Sequence, residues 1–339
     1  MYNIDPHEMR EALQAREVAS AYYLDNPRVR LIDVGYKIKD DQYTGQTAVR
    51  IHLRNKPEQA TFEEFSALNE DLVIDKSKIP FEVDLIEANY QLDWSWPPPP
   101  PENNRRRYHD PLRGGISVSS EWLYGFGTLG GIVQDGVTGD PMILSNWHVL
   151  AGSAYAPRGL SVYQPGYGDG GNYTDTVATL ERHAMGQGID AAVARLTGDR
   201  GWINDQLEIG PVNGSKAPTV GMKVTKSGRM TKVTHGFIDG IMGEYPIRYA
   251  GFTTSIRFVF RIVPLPGLDQ VSNKGDSGSF WLDEEGHRAV GLHFAGYDFP
   301  ETALAISMPE VLSALNVTLP TGVRGAPAAV PETAERVYA

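Results

Sequence analysis

Three separated segments of the sequence carry residues able to do acyl chemistry together. The stretch NKGDSGSFWL, residues 273 to 282, frames Ser277 with Gly275 and Gly278 just ahead of an apolar run. A serine hydroxyl attacks a carbonyl only with help. It needs a base to take its proton, a carboxylate to orient that base, and donors for the developing oxyanion. In a tight glycine-bounded turn the backbone N–H groups of Gly275 and Ser277 can converge on one point. A β-carbon at 275 would restrict the backbone conformation this requires. Among eight histidines, His148 stands out in ILSNWHVLAG, at the expected end of an apolar strand that would deliver it to a cleft. Asp190 interrupts the apolar segment GQGIDAAVARL, as a buried acid with a specific partner would. Singly, these are a glycine turn, a structural histidine and a turn or cap. Together, in the order His148, Asp190, Ser277, they supply an imidazole, an acid and an alcohol.

The elements that must position them read as follows. The chain has 339 residues, with 41% hydrophobic and 22% charged residues, enough to bury a sizeable core. Its 36 glycines and 23 prolines favour many turns and hence many short strands. From residue 116 onward, runs such as GTLGGIVQD, PMILSNWHV, DTVATLERHA, GMKVTKSG, HGFIDGIMG, SIRFVFRIV, GSFWLDEEG and AVGLHFAG are separated by turn residues, which predicts antiparallel β structure in a sandwich or barrels. SMPEVLSALNV reads as a closing helix. Residues 1–96 read as a small α+β unit with a regulatory or assembly role. It comprises a helix over residues 6 to 24, strands in VRLIDVGYKI, TAVRIHLRNK and IPFEVDLIEA, and a short helix in ATFEEFSALNEDL. Residues 97–115, with Pro97 to Pro101 and Arg105 to Arg107, read as an exposed linker, and residues 321–339 as a flexible tail.

Composition narrows the partners. Net charge is −11, and the only basic cluster is the short Arg105–Arg107 run, which argues against nucleic acid. There is no cysteine, so disulfides and thiolate-held metals are excluded. No run approaches the roughly 18 apolar residues of a membrane span, and the first residues lack the apolar stretch of a signal peptide. The expectation is a cytoplasmic protein with no membrane partner, no metal and no cofactor, with a homo-oligomer through the N-terminal unit as a further expectation.

At these residues the chain resembles a known family. Residues 116 to 315 resemble the chymotrypsin-like (trypsin-like) serine peptidases: SNWHV looks like their histidine motif, GIDAAVARL like their aspartate motif, and GDSGS matches their serine motif without change. The N-terminal stretch VGYKIKD…TGQTAVRIHLRNK, followed by IPFEVDLIEA, and the segment VTKSGRMTKVTHGFIDGI resemble bacterial relatives of the plant narrow-leaf type proteases. The resemblance implies a mainly β fold, a double antiparallel β-barrel over residues 116–320 with the site between barrels, preceded by the small α+β domain. It implies a serine endopeptidase with His148 as base then acid, Asp190 holding its tautomer, Ser277 as nucleophile, and the Gly275 and Ser277 N–H groups as oxyanion hole.

Departures from the family carry expectations too. Ile116, at the family's usual start, follows Gly115 rather than a basic residue, so the enzyme is expected to fold active without a cut, with Asp276 finding another partner or simply shaping the turn, and with cleavage in RRRYHDPLRGG as the alternative. At the pocket base the resemblance points to Val271, not an acid, which removes the counter-charge for Lys or Arg. GLHFAG resembles the pocket strand of glutamate-specific bacterial endopeptidases, which implies a pocket of Val271, Ser272 and His293 preferring Glu, or Gln, before the cut. A structural role for His293 is the competing reading. A catalytically silent peptide-binding scaffold is the competing function, weighed against by the presence of all three triad residues. His183 and His235 read as non-catalytic, Lys226 and Arg229 of KSGRMT as an ordinary hairpin, and Asp169 and Asp175 as a polar surface loop.

Overall fold

The computed structural model describes residues 4–40, 42–54, 72, 74–88, 90–92, 104–249, 252–298, 301–322 and 324–325. Pro97 to Pro101 and all but the last residue of ATFEEFSALNEDL lie outside them. The chain opens with α1 (Pro6–Tyr23), β1 (Val29–Lys39), β2 (Gln42–Leu53), β3 (Val83–Glu87) and β4 (Gln91–Leu92). β5 (Leu112–Gly114), β6 (Ser117–Ser120), β7 (Gly127–Thr128), β8 (Gly131–Asp135) and β9 (Pro141–Ser145) lead to the short helix α2 (Trp147–Leu150). β10 (Ser161–Tyr163), β11 (Thr176–His183), β12 (Ala192–Leu196), β13 (Trp202–Gln206) and β14 (Gly210–Pro211) complete the first half. The second half holds β15 (Lys223–Gly228), β16 (Lys232–Tyr249), β17 (Phe252–Pro264), β18 (Phe280–Asp283), β19 (Ala289–Asp298) and β20 (Glu301–Ser307). α3 (Met308–Leu315), β21 (Val317–Thr318) and β22 (Arg324–Gly325) follow.

The fold is mainly β, built on two large and mostly antiparallel sheets. In the second half β15, β18, β19, β20, β17 and β16 pair in turn, and β15 pairs back to β16, closing a ring. The first half runs β21-β8-β9-β12-β11-β10-β6-β7. β9 from Met142 to Ser145 and β12 from Ala192 to Ala194 are buried, which is why they read as near-continuous apolar runs.

The N-terminal strands continue the second sheet. One edge of β16 pairs with β15 from Lys232 to Phe237 and then with β1 from Gly240 to Glu244. β2 adds to β1 antiparallel, and β3 adds to β2 in parallel. α1 starts at Asp5, whose carboxylate accepts the His7 N–H at 2.8 Å, and Pro6 fits its first turn. Its Ala15, Ala19 and Tyr23 pack on Val29, Ile32, Val49 and Ile51 of β1 and β2. A buried ion network ties these strands to the ring. Arg50 Nη2 lies 2.6 Å from Asp33 Oδ2, and Arg50 Nη1 lies 3.2 Å from Asp239 Oδ2, which Arg261 also meets at 2.8 Å. Burial alone would raise the Asp33 pKa, but Arg50 and His52 outweigh it and hold the carboxyl well below its usual range.

The segment expected to be an exposed linker is packed from residue 104 onward. Arg105 is fully buried, donates to the Gly115 carbonyl at 3.1 Å and pairs with Glu208 at 2.9 Å. An arginine so placed is bound by hydrogen bonds the sequence pattern does not reveal. Within the expected tail, Arg324 and Gly325 pair with Ile203 and Trp202.

Candidate active site

Ser277 sits in a turn that only glycines permit. Gly275 and Gly278 have φ of +108° and +98°, in the region that side chains rarely adopt. A β-carbon on Gly278 would lie 2.1 Å from Ser145 Oγ and 2.2 Å from the Thr128 carbonyl. Gly278→Ala is therefore expected to cost roughly 2–5 kcal/mol, from backbone strain plus overpacking, as read by urea unfolding. A midpoint matching the parent would show that the turn is not so constrained. β7 pins the turn from one side: the Thr128 N–H donates to the Ser277 carbonyl at 2.8 Å, and the Thr128 hydroxyl to the Gly275 carbonyl at 2.9 Å.

Asp276 anchors the same turn from within. Its carboxylate is fully buried and meets Lys226 Nζ at 2.9 Å. It also accepts the N–H groups of Met230 and Asn273, at 2.8 and 3.1 Å. Burial would raise its pKa, but the Lys226 charge and hydrogen bond, with Thr231 and His293, lower it on balance. Of the two expectations for Asp276, another partner or a turn-shaping role alone, the structure gives the partner, Lys226. Ile116 is buried in mid-chain, its carbonyl accepting the Leu129 N–H at 2.8 Å. Arg229 also does more than close a hairpin. It stacks 3.3 Å over the Phe126 ring, which underlies Gly275, and its Nε meets Asp169 Oδ2 at 2.8 Å. Asp169, expected on a surface loop, is buried by this pair.

His148 lies beyond a strand end rather than on it. β9 stops at Ser145, and His148 stands in α2, a short turn that begins just after Asn146. The Asn146 side chain donates to the Asp190 carbonyl at 2.8 Å, so the histidine helix and the aspartate loop are bound together. Asp190 is fully buried just ahead of β12. Its Oδ2 meets His148 Nδ1 at 2.6 Å, and its Oδ1 accepts the His148 N–H at 3.1 Å. A carboxylate at Nδ1 selects the tautomer with the proton there and leaves the Nε2 lone pair available. Nε2 is buried and has no protein partner among the described residues.

The histidine helix and the serine turn meet over β7. A β-carbon on Gly127 would lie 2.5 Å from the Val149 side chain and 3.1 Å from the Ser277 carbonyl. The Ser277 hydroxyl donates to the Phe294 carbonyl at 3.2 Å. Phe294 is the extra residue of a bulge: His293 pairs with Ala305 of β20, and Ala295 with the adjacent Leu304. Among the described residues the N–H groups of Gly275 and Ser277 donate to no protein acceptor. Structure therefore joins His148 to Asp190 directly, and it packs Val149 of the same helix and the Ser277 carbonyl against Gly127.

The pocket candidates lie in the second ring. Val271 packs inside it with Val224, Ile238 and Trp281. Ser272 is buried, and Glu301 accepts the N–H groups of both Val271 and Ser272, at 2.9 and 3.0 Å. His293 is fully buried with its ring edge-on to Trp281 at 6.2 Å. The rival histidines lie elsewhere: His183 is exposed beside Trp147, and His235 bonds Glu284 at 2.8 Å. Among the described residues no cluster of three or more His, Cys, Asp or Glu could hold a metal, and no helix is long and apolar enough to cross a membrane. Of the supporting residues, Lys226, Arg229, Thr128, Phe126 and Phe294 were not legible as such. The nearest signal was the charged pair within KSGRMT.

No protein-family model matches the chain, and no curated protein matches it. Solved structures do resemble it. Thermobifida fusca Protease A is 21% identical, with 62% of this chain and 98% of that chain covered and a TM-score of 0.46. Nocardiopsis protease is 20% identical over 61% of this chain and 97% of that one, with a TM-score of 0.45. A glutamic acid specific serine protease, described as using a novel histidine triad in substrate binding, is 19% identical over 62% of this chain and 100% of its own, with a TM-score of 0.45.

Proposed function

We propose that the protein is a serine endopeptidase that cleaves polypeptide through an acyl-enzyme on Ser277. The observation that carries this reading is the 2.6 Å bond of Asp190 to His148 Nδ1, with Nε2 left without a protein partner among the described residues. Rotation of the Ser277 hydroxyl from the Phe294 carbonyl toward Nε2 readies it for attack. His148 takes its proton as the Ser277 oxygen bonds the scissile carbonyl carbon, then gives it to the leaving amine. Asp190 stabilises the imidazolium, and the Gly275 and Ser277 N–H groups receive the oxyanion. Water, deprotonated by His148, then releases the acid product. The Lys226–Asp276 pair holds the turn without a freed N-terminus. The likeness of the N-terminal part to the narrow-leaf type rests on its sequence alone. The test is labelling by a fluorophosphonate, with the adduct located on Ser277 by mass spectrometry. A folded protein that never labels overturns the reading.

For the pocket we propose His293, helped by Ser272, as the group that recognises Glu, and Gln second. A ring fixed against Trp281 can aim an N–H at a side-chain oxygen. His293→Phe is expected to lower kcat/KM for a Glu substrate by roughly 10- to 100-fold, the worth of a hydrogen bond to a charged group. A peptide-library profile preferring Lys or Arg before the cut would end this assignment. One observation favours the second reading, a silent peptide binder: the Ser277 hydroxyl bonds the Phe294 carbonyl. Peptide affinity without turnover would establish it.

A further inference from the structure

The edge of β19 that passes Ser277 is already occupied. On its other edge β19 pairs with β20 from Gly291 to Asp298. On the Ser277 edge the neighbour changes along the strand. β18 takes the stretch from Ala289 to Leu292. The serine turn comes next: the Gly278 N–H donates to the His293 carbonyl at 2.9 Å, and the Ser277 hydroxyl to the Phe294 carbonyl at 3.2 Å. Immediately beyond, β4 pairs antiparallel, with Leu92 opposite Ala295 and Gln91 opposite Gly296.

β4 arrives with a firm anchor. Tyr90, the residue before it, is buried. Arg30 Nη2 and the Tyr245 hydroxyl donate to its carbonyl at 3.1 and 3.2 Å. Its own hydroxyl meets His52 Nδ1 at 2.8 Å. The Tyr245 ring stands edge-on to Phe294 at 5.7 Å, so the anchor abuts the strand next to Ser277.

A strand edge binds an extended peptide by adding a strand to the sheet. A carbonyl attacked by Ser277 must lie beside its hydroxyl, so the residues ahead of that carbonyl extend along the same edge, past Phe294. β4 lies on that stretch. It also runs N to C from Gly296 toward Phe294, the direction the acyl half of a peptide takes toward the nucleophile. We infer that Gln91–Leu92 is an internal competitor. It holds in cis the Ala295–Gly296 edge on which an extended peptide substrate pairs, and the peptide binds only when β4 lifts away. The inference rests on the peptidase reading for the identity of the guest, and it assigns the N-terminal part an inhibitory role.

The test uses the full chain carrying Ser277→Ala, so that binding is read apart from turnover. The probe is a fluorescent acetyl-Ala-Ala-Pro-Glu peptide followed by anisotropy. The double substitution Gln91→Pro, Leu92→Pro removes whichever N–H of β4 faces β19. If β4 is docked about nine-tenths of the time, its release tightens peptide binding about tenfold. Equal affinities in two proteins that melt alike overturn the inference, and so does a probe that binds neither. Should the double variant fail to fold, hydrogen exchange on the Ser277→Ala chain decides. Adding the peptide should speed exchange over residues 88 to 92, and unchanged protection with peptide bound overturns the proposal. Absence of fluorophosphonate labelling in the parent chain would strike the peptidase reading separately, with the anisotropy result unaffected.

Discussion

Ser277→Ala is expected to lower kcat for peptide hydrolysis by on the order of 10⁶-fold, with His148→Ala about equal and the double variant no worse. In the proposed mechanism the three side chains act as one unit. Without the hydroxyl no acyl-enzyme forms, and without the imidazole the hydroxyl keeps its proton. Once either is gone the other has nothing left to contribute, so the losses do not add. Asp190→Asn is a finer probe. It keeps the shape of a buried side chain whose carboxylate now meets both the His148 ring and its N–H. An amide there favours the wrong tautomer, for a loss of about 10⁴-fold. The measurements are single-turnover hydrolysis of a Glu-containing peptide and labelling by a fluorophosphonate, on variants whose melting matches the parent. Hydrolysis persisting in Ser277→Ala would remove the acyl-enzyme from the mechanism.

The second large effect is predicted at Lys226. Lys226→Met leaves the Asp276 carboxylate fully buried without its cation, which costs about 3–5 kcal/mol when one partner of a buried pair is removed. Asp276 also holds the loop that ends in Ser277, so the loss should reach the chemistry. With Gly275 and Ser277 no longer held, kcat should fall by roughly 10²–10³-fold, the worth of an oxyanion donor. The pH dependence has a definite sign. The folded pKa of Asp276 lies below its ordinary 3.8, so its stabilising contribution is present above 3.8 and is lost as pH falls through the lower folded value. Without Lys226 that depression shrinks. The variant should therefore lose less stability than the parent as pH drops below 3.8. Urea unfolding across that range checks the first claim, and active-site-titrated turnover the second. Adding Asp276→Asn to Lys226→Met should recover part of the stability, because no unpaired ion then remains. Stability unchanged in Lys226→Met would mean that Asp276 does not depend on this cation.

The sequence alone marked the candidate residues of the proposed site and most of the elements around them. Glycine at 275 and 278 is written in the chain because the turn needs positive φ, and the buried strands β9, β12 and β19 show as apolar runs because both their faces are covered. α1 is legible from Pro6 in its first turn and α3 from the spacing of Met308, Val311 and Leu315, which it buries. Tertiary structure decided what no local pattern encodes. It moved His148 from a strand end into α2, because Asn146 and Asp190 bind that turn. It gave Asp276 its partner in Lys226, a residue whose charge reads as surface until a sheet folds over it. It buried Arg105 in a segment that reads as linker and Asp169 in one that reads as loop. It also made the N-terminal strands part of the second sheet, through β1 on β16, and set β4 on β19 beside Ser277. The reason is common to all of these. Propensity and periodicity act between near neighbours in the chain, whereas the partner of a buried charge or of an open strand edge is chosen only when distant segments pack.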